Sequence, residues 1–526
     1  MKPSKLAAAL LASALLLTGC GTKPAIQAPA APDCKDAIEI ILRDSGITAD
    51  GEPVGTDKAS PIYTANDIVY YEAGKDFTYG EGNDRDAHTT EAAAAHKVVH
   101  ITKPGVYRLS GKLSLGQIAV DLGDSAKKDP DAVVTLVLDG VDITCDVAPA
   151  VIFYNVYECG DDDENNTSED VDTSAAGANV VISDGTVNTV RGSYVARIYA
   201  PDSVVLNEAK TKVEDADKLH KYDGAFYSRQ SINLFGGIKN TGVLNIQAEN
   251  EGLDSEMHLT INGGNIHIES GNDGINTNED GVSVTTVNGG TLTIQVTGET
   301  GEGDGIDSNG WLVINGGTVI AAACSSSADA GIDSDMGIHI NGGTVIATGH
   351  MLDRIENGGQ NYAVCNFAQT QTGNETITMK NQKNNAILET TPKNAYSVLI
   401  FSSPELKAGT YSLWSNGTQL AGSSGNMMGH PGTQGGGMVH PEDPDDMQMP
   451  EFRQEPPEGF GPPEGGEGFA PPDGATPPQG GNPPQMPGGN GPGTPGGNTG
   501  MQEMSPEFAI NDGGNMFSGI TYYRKS

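Results

Sequence analysis

Four Asp or Asn side chains recur in one setting at one spacing, and carboxylates placed in such a row either bind hard cations or repel one another. The settings are Gly252-Leu253-Asp254-Ser255, Gly274-Ile275-Asn276-Thr277, Gly305-Ile306-Asp307-Ser308 and Gly331-Ile332-Asp333-Ser334. Each is followed by Asn-Gly-Gly, beginning at Asn262, Asn288, Asn315 and Asn341, so the turn recurs after 26, 27 and 26 residues. From Asp to Asn the interval is eight residues in three copies, with four more in the copy that carries Asn276. A fixed period with a fixed internal interval marks a repeat architecture. It also sets one acidic or amide side chain per repeat at an equivalent place.

Short alternating segments separate these turns. Leu259-Thr260-Ile261, Leu312-Val313-Ile314 and Ile338-His339-Ile340 have apolar outer residues, and β-type runs such as Thr291-Leu292-Thr293-Ile294 and Thr344-Val345-Ile346-Ala347 follow each Asn-Gly-Gly. Period two puts Leu, Ile and Val on one face. Gly and Asn supply corners, and the glycines and β-branched residues exclude helices. Two short strands and their corners in about 26 residues make one rung of a coil, whose rungs stack as parallel strands. The expected fold is all-β, a right-handed parallel β-helix of roughly eight to ten rungs. An antiparallel sandwich of hairpins explains the strands but not the constant interval. Looser copies reach back through Asp223-Gly224-Ala225-Phe226-Tyr227-Ser228, Val180–Gly185, Thr135–Gly140 and Gly105–Gly111, with Ile38–Leu42 near the N-terminal cap.

On stacked rungs Asp254, Asn276, Asp307 and Asp333 form an outward ladder. Carboxylates on adjacent rungs, ~5 Å apart, repel by about 1 kcal/mol in water and about 3 at an effective dielectric near 20. From Asn240 to Asp353 the chain has no Lys or Arg, whereas Glu251, Asp273, Glu279, Asp280, Asp304, Asp329 and Asp335 flank the ladder. Calcium resolves the repulsion, because it accepts carboxylate, amide and backbone oxygens in flexible geometry. The competing reading is an Asx ladder whose side chains only accept backbone N–H bonds. Nonapeptide calcium rolls are excluded, since their nine-residue period is absent.

The formal net charge is −39, which excludes nucleic acid as a partner. Lys2 and Lys5, the apolar run Leu6–Leu17 and then Thr18-Gly19-Cys20 make a lipoprotein leader, with residues 1–19 removed and Cys20 lipidated. The mature protein is then exported and lipid-anchored at the extracellular face of the membrane, with 20–36 as linker, and is expected to be a monomer. The β-helix occupies 37–421. A Gly/Pro/Met-rich tract over 422–504 cannot bury a core, and a closing strand over 505–526 returns to pair near Tyr411–Leu420. Cys34, Cys145, Cys159, Cys324 and Cys365 remain, an odd count without C-x-x-C that argues against zinc or a disulfide framework, although a Cys145–Cys159 pair stays open.

The Gly-Ile-Asp-Ser to Asn-Gly-Gly cassette, with Leu138-Asp139-Gly140-Val141-Asp142-Ile143, Ser183-Asp184-Gly185-Thr186-Val187-Asn188, the Asp223–Ser228 copy and the late loop before Asn515-Met516-Phe517-Ser518-Gly519, resembles a bacterial carbohydrate-binding domain family of calcium-containing, pectate-lyase-like right-handed β-helices. The resemblance covers about Ile38 to Ile520. It implies a non-catalytic protein that binds plant polysaccharide, acidic galacturonan in particular and also cellulose, with calcium on the coil. The implied ligands are Asp254, Asn276, Asp307 and Asp333 with their acidic neighbours Asp273 and Asp304. In this chain Asn276 replaces a carboxylate and the Ile62–His96 insert has no counterpart.

Two other functions compete. A polysaccharide lyase needs a base beside the calcium. The cassettes contain no Arg or Lys, and the nearest basic cluster is Lys218, His220, Lys221 and Arg229. No catalytic residue is therefore assigned. A purely structural or adhesive β-helix needs no ligand at all. Sugar-stacking aromatics are sparse, the candidates being Tyr222, Tyr227 and Trp311.

Overall fold

Period-two alternation, broken every few residues by glycine and asparagine, gives short strands and no long helix. The computed structural model describes residues 28–160, 167–425 and 504–523. Among them the protein is nearly all β, and Thr90–Ala95 is the one α-helix. The expected leader through Cys20, the acidic run 161–166 and most of the Gly/Pro/Met-rich tract lie outside the described residues.

Three parallel ladders carry the repeat. Within one cassette, Glu251–Ser255, Leu259–Ile261 and Asn265–Ser270 are successive strands, one for each ladder. Each pairs in parallel with its counterpart one repeat later, Leu253 facing Ile275, Leu259 facing Thr285 and Ile266 facing Leu292. The second ladder continues through Trp311–Ile314 to Gly337–Ile340, and the third through Thr318–Ala322 to Thr344–Gly349. Toward the N-terminus the first ladder takes in Gly224–Ser228, Val151–Asn155, Gly116–Asp121 and Lys97–Ile101. Ile62–Ala65 closes it by pairing antiparallel with Val98–Ile101, which places the insert at that edge.

Because the partners are in register, each inward side chain lies on the like residue of the next rung. Ile266, Leu292, Val319 and Val345 make one buried file, and Leu253, Ile275, Ile306 and Ile332 another, none more than 1% exposed. At the turn the Asn-Gly-Gly asparagines form a ladder of their own. The Asn288 amide donates to Asn262, Asn315 to Asn288 and Asn341 to Asn315, each at 2.9 Å.

The two glycines of the repeat serve different ends. The last glycine of each Asn-Gly-Gly is left-handed, with φ of 96, 81, 77 and 79° at Gly264, Gly290, Gly317 and Gly343. The cassette glycines have no positive φ. At Gly252, Gly274 and Gly305 an added Cβ would lie 2.5, 2.5 and 2.3 Å from the carbonyl oxygen of the next cassette glycine. These glycines are required by rung-to-rung approach, not by corner geometry. Gly305→Ala is therefore expected to cost about 3 kcal/mol or more, since backbone on both sides cannot move aside. Gly281→Ala, left-handed but open, should cost only about 1–2 kcal/mol. Urea midpoints of the two variants check this ordering.

One expectation is corrected. The regular parallel ladders do not run to residue 421. After Gly349 antiparallel pairs take over: Val345–Gly349 meets Val398–Ser402, which also pairs with Tyr362–Asn366, while Tyr362–Cys365 runs parallel to Gly514–Phe517 on its other side. Gly409–Tyr411 pairs with Phe508–Ile510, and Thr418–Gly425 with Gly514–Tyr522. These strands bury a core of their own around Phe401, Leu413, Phe508 and Phe517. The sheets are consequently mixed and not closed. Period two is common to parallel and antiparallel strands, so alternation alone did not reveal the change. Its visible sign is that the next Asn-Gly-Gly, at Asn357, follows Asn341 by 16 residues instead of 26 or 27 and has no Gly-Ile-Asp-Ser ahead of it. Ile346 is buried in the second core and Ile320 packs against it, which accounts for this outward apolar step. All five described cysteines are unpaired, so Cys145 and Cys159 form no disulfide.

Candidate metal centre

The first ladder aligns the acidic row. Asp254 faces Asn276 on one side and Tyr227 on the other. Asp307 N–H donates to Ile275 O at 2.8 Å and Asp333 N–H to Ile306 O at 2.7 Å, so the row continues through both later repeats. Three residues ahead in the first three cassettes lie Glu251, Asp273 and Asp304, and in the fourth Ala330.

The row splits into two groups around Asn276. In the later one, carboxylate oxygens of Asp304, Asp307 and Asp333 all lie within 4.8 Å of one another. In the earlier one, Glu251 Oε2, Asp254 Oδ2 and Asn276 Oδ1 are buried and accept no hydrogen bond. The Asn276 amide donates to Glu251 Oε1 at 3.2 Å, and Asn278 donates to Asp254 Oδ1 at 3.0 Å. These are oxygen-only sets, with no nitrogen or sulfur ligand to favour a transition metal. A buried acceptor without a donor is costly, and such atoms ask for a cation or a proton.

The expected ladder pointed outward. Its residues alternate with the buried file of Leu253, Ile275, Ile306 and Ile332, but Asp254 is itself 0% exposed, and Asn276, Asp273 and Asp304 are buried at 8–9%. Burial raises the Asp254 carboxyl well above its usual range, and Asp223 and Glu256 add to the shift. Glu251 is raised likewise, by burial and then by Asp254 and Asp223. Asp304 is raised by burial, then by Asp273 and Asp333. Asp333 is pushed up to about 8, by burial first and then by Asp353 and Asp307.

The Asx-ladder chemistry is present too, in different residues. Asp273 Oδ1 accepts from the Asp304 N–H at 2.6 Å, and Asp304 Oδ1 accepts from the Ala330 N–H. Asp273 and Asp304 thus stitch rungs together with one oxygen each, while Glu251, Asp254 and Asn276 hold the oxygens without donors.

The three aromatic candidates do not assemble into a platform. Tyr222 and Tyr227 pack edge to face, 5.0 Å between centroids, and Tyr227 is 1% exposed with its hydroxyl on Glu256. Trp311 heads a strand of the second ladder, whereas the acid row lies on the first. Sequence reasoning left out Glu251 as a ligand, although it holds the same cassette offset as Asp273 and Asp304. It named Lys221 only as part of a basic cluster, whereas its ammonium lies 3.4 Å from Asp223 and its charge opposes the rise of Asp254.

A β-stranded framework of this kind, carrying a row of buried oxygens along one ladder, belongs among carbohydrate-binding proteins by comparison with known families. The model of the carbohydrate-binding domain-containing protein family matches residues 95–391, more than half of the chain, and the protein belongs to that family. A carbohydrate-binding domain-containing protein of Acetivibrio thermocellus is 28% identical over 264 residues, 50% of this chain and 64% of the relative. The chain thus spans less than two thirds of that relative's length. A solved polysaccharide lyase-like protein from C. thermocellum, a gadolinium derivative, overlaps 59% of this chain and 90% of its own at 20% identity, with a TM-score of 0.33.

Proposed function

We propose that this protein is a non-catalytic, cell-surface carbohydrate-binding protein that holds acidic galacturonan, and secondarily cellulose, through calcium on a right-handed parallel β-helix. The observation that carries the reading is the set of buried oxygens without donors at Glu251, Asp254 and Asn276, one repeat from the cluster of Asp304, Asp307 and Asp333. Glu251, Asp254 and Asn276 would hold one ion and the aspartate cluster another. Bound calcium would neutralise the row and leave coordination positions for sugar carboxylates, which an acidic protein surface otherwise repels. The neutral amide of Asn276 lowers repulsion between the two groups and still offers an oxygen. The leader ending at Cys20 supports anchoring by lipid at the extracellular face.

Calorimetric titration with polygalacturonate, with absorbance monitored for unsaturated product, tests this reading. Binding is expected with calcium and should weaken at least tenfold in chelator, with no product. Product formation would replace the reading with a lyase. Full binding in chelator would remove calcium from it.

A further inference from the structure

The first ladder continues beyond the acid row into a cleft of about 550 Å³. Tyr227, in register with Asp254, lines the cleft, so cleft and row share one sheet. The strand Lys218–Tyr222, held antiparallel to Val195–Tyr199, supplies another side. A cleft of this size suits a small ligand or one end of a longer one.

Most charges in the cleft are engaged with one another. Asp67 accepts from Lys58 and His100 at 2.9 and 2.7 Å, and Asp121 accepts from Asn155 at 2.9 Å. Glu256 holds the Tyr227 hydroxyl at 2.5 Å and the Lys218 ammonium at 3.5 Å. Arg229 differs. It is exposed, it lines the cleft, and its guanidinium makes no hydrogen bond or ion pair among the described residues. Its charge reaches the cleft walls. It opposes the burial-driven rise of the Tyr222 phenol, and it adds to the burial that lowers His220. In a chain of net charge −39 this is an unusual group to leave uncommitted. A guanidinium matches a carboxylate with two parallel hydrogen bonds.

We infer that the cleft is a second anion subsite, in which Arg229 takes the carboxylate of a uronate residue directly, without calcium. The inference rests on the galacturonan reading and deepens it. One acidic chain lying along the sheet would be held by ions over the row and by Arg229 at the cleft.

The test is titration of the full chain with trigalacturonate in excess chelator. The wild type is expected to bind weakly, and Arg229→Ala to lose about tenfold or more in affinity. Arg229→Lys should fall between them, because charge remains but the fork is lost. Melting temperature should change little in either variant, since the exposed guanidinium makes no hydrogen bond or ion pair among the described residues. Absence of wild-type binding in chelator, or equal binding by Arg229→Ala, overturns the subsite. If calcium-dependent polygalacturonate binding persists beside that result, the parent reading stands. If calcium-dependent binding is absent while Arg229-dependent binding remains, the cleft stands and the parent reading falls.

Discussion

Removing calcium should lower the melting temperature of the wild type by several degrees, and Asp307→Asn should reverse the sign of its effect between the two conditions. An ion that binds only the folded chain stabilises it by about 2.7 kcal/mol at a hundredfold excess over its Kd. Asp307 shares its oxygen cluster with Asp304 and Asp333. Without metal, the Asp307 charge helps to push up the buried carboxyls of Asp304 and Asp333, so the neutral amide should relieve that cost and raise the melting temperature in chelator. With calcium present the same variant loses a charged ligand and most of the calcium increment. Thermal melts in chelator and in millimolar calcium, for wild type and variant, give the four values required. A wild type indifferent to calcium, or an Asp307→Asn protein less stable than wild type in chelator, would refute the metal centre.

The second large effect is on pH. In the metal-free chain Glu251, Asp254 and Asp304 are held above the ordinary carboxylate range, and Asp333 at about 8. Unfolded, each returns to about 4. Between those values the folded state binds more protons than the unfolded state, so stability falls as pH rises, by up to about 1.4 kcal/mol per pH unit for each extra proton. Below about pH 4 the penalty is absent. Asp142 works in the opposite sense. Its bond to Lys112, aided by Arg191, holds its carboxyl low, so its stabilisation is present above the unfolded value and is lost as pH falls below it. The two windows do not overlap. Urea titrations in chelator at pH 5, 6, 7 and 8 should show decreasing stability. Saturating calcium should flatten or invert that slope, because calcium binds only the deprotonated row. A chelated protein that gains stability from pH 5 to 8 would show that the row is not held protonated.

The repeat was legible because its period and its strand alternation are local. The interval from Asp254 to Asn262, repeated from Asp307 to Asn315, predicts which side chains stack, and Asp254 does face Asn276 across a parallel pair. Two things were not legible. The first is how deeply the row is buried, with Asp254 fully covered and Asn276 8% exposed, which the alternation of each strand does not report. The second is where the coil stops. Leu399 and Ile400 alternate in the same way as Val345 and Ile346, yet the pairing is antiparallel. Strand direction is decided by loops and by cores such as that around Phe508, which lie far apart in sequence. The cassette glycines were correctly located but for an incomplete reason, since a neighbouring rung's carbonyl leaves no trace in local composition.

The antiparallel strand at the end of the coil also limits self-association. A stack of like rungs is self-complementary along its axis, and an open last rung would template the first rung of another molecule, giving a head-to-tail fibre. Val398–Ser402 takes the hydrogen bonds that Val345–Gly349 would otherwise offer, and Arg354, Glu356 and Gln360 bond to Ile338 and Ile340 on the neighbouring ladder. At the opposite end the turn Thr48–Pro53 folds back on Ile40 and Ile41. A repeat that invites indefinite stacking is in this way kept to a finite number of strands in each ladder.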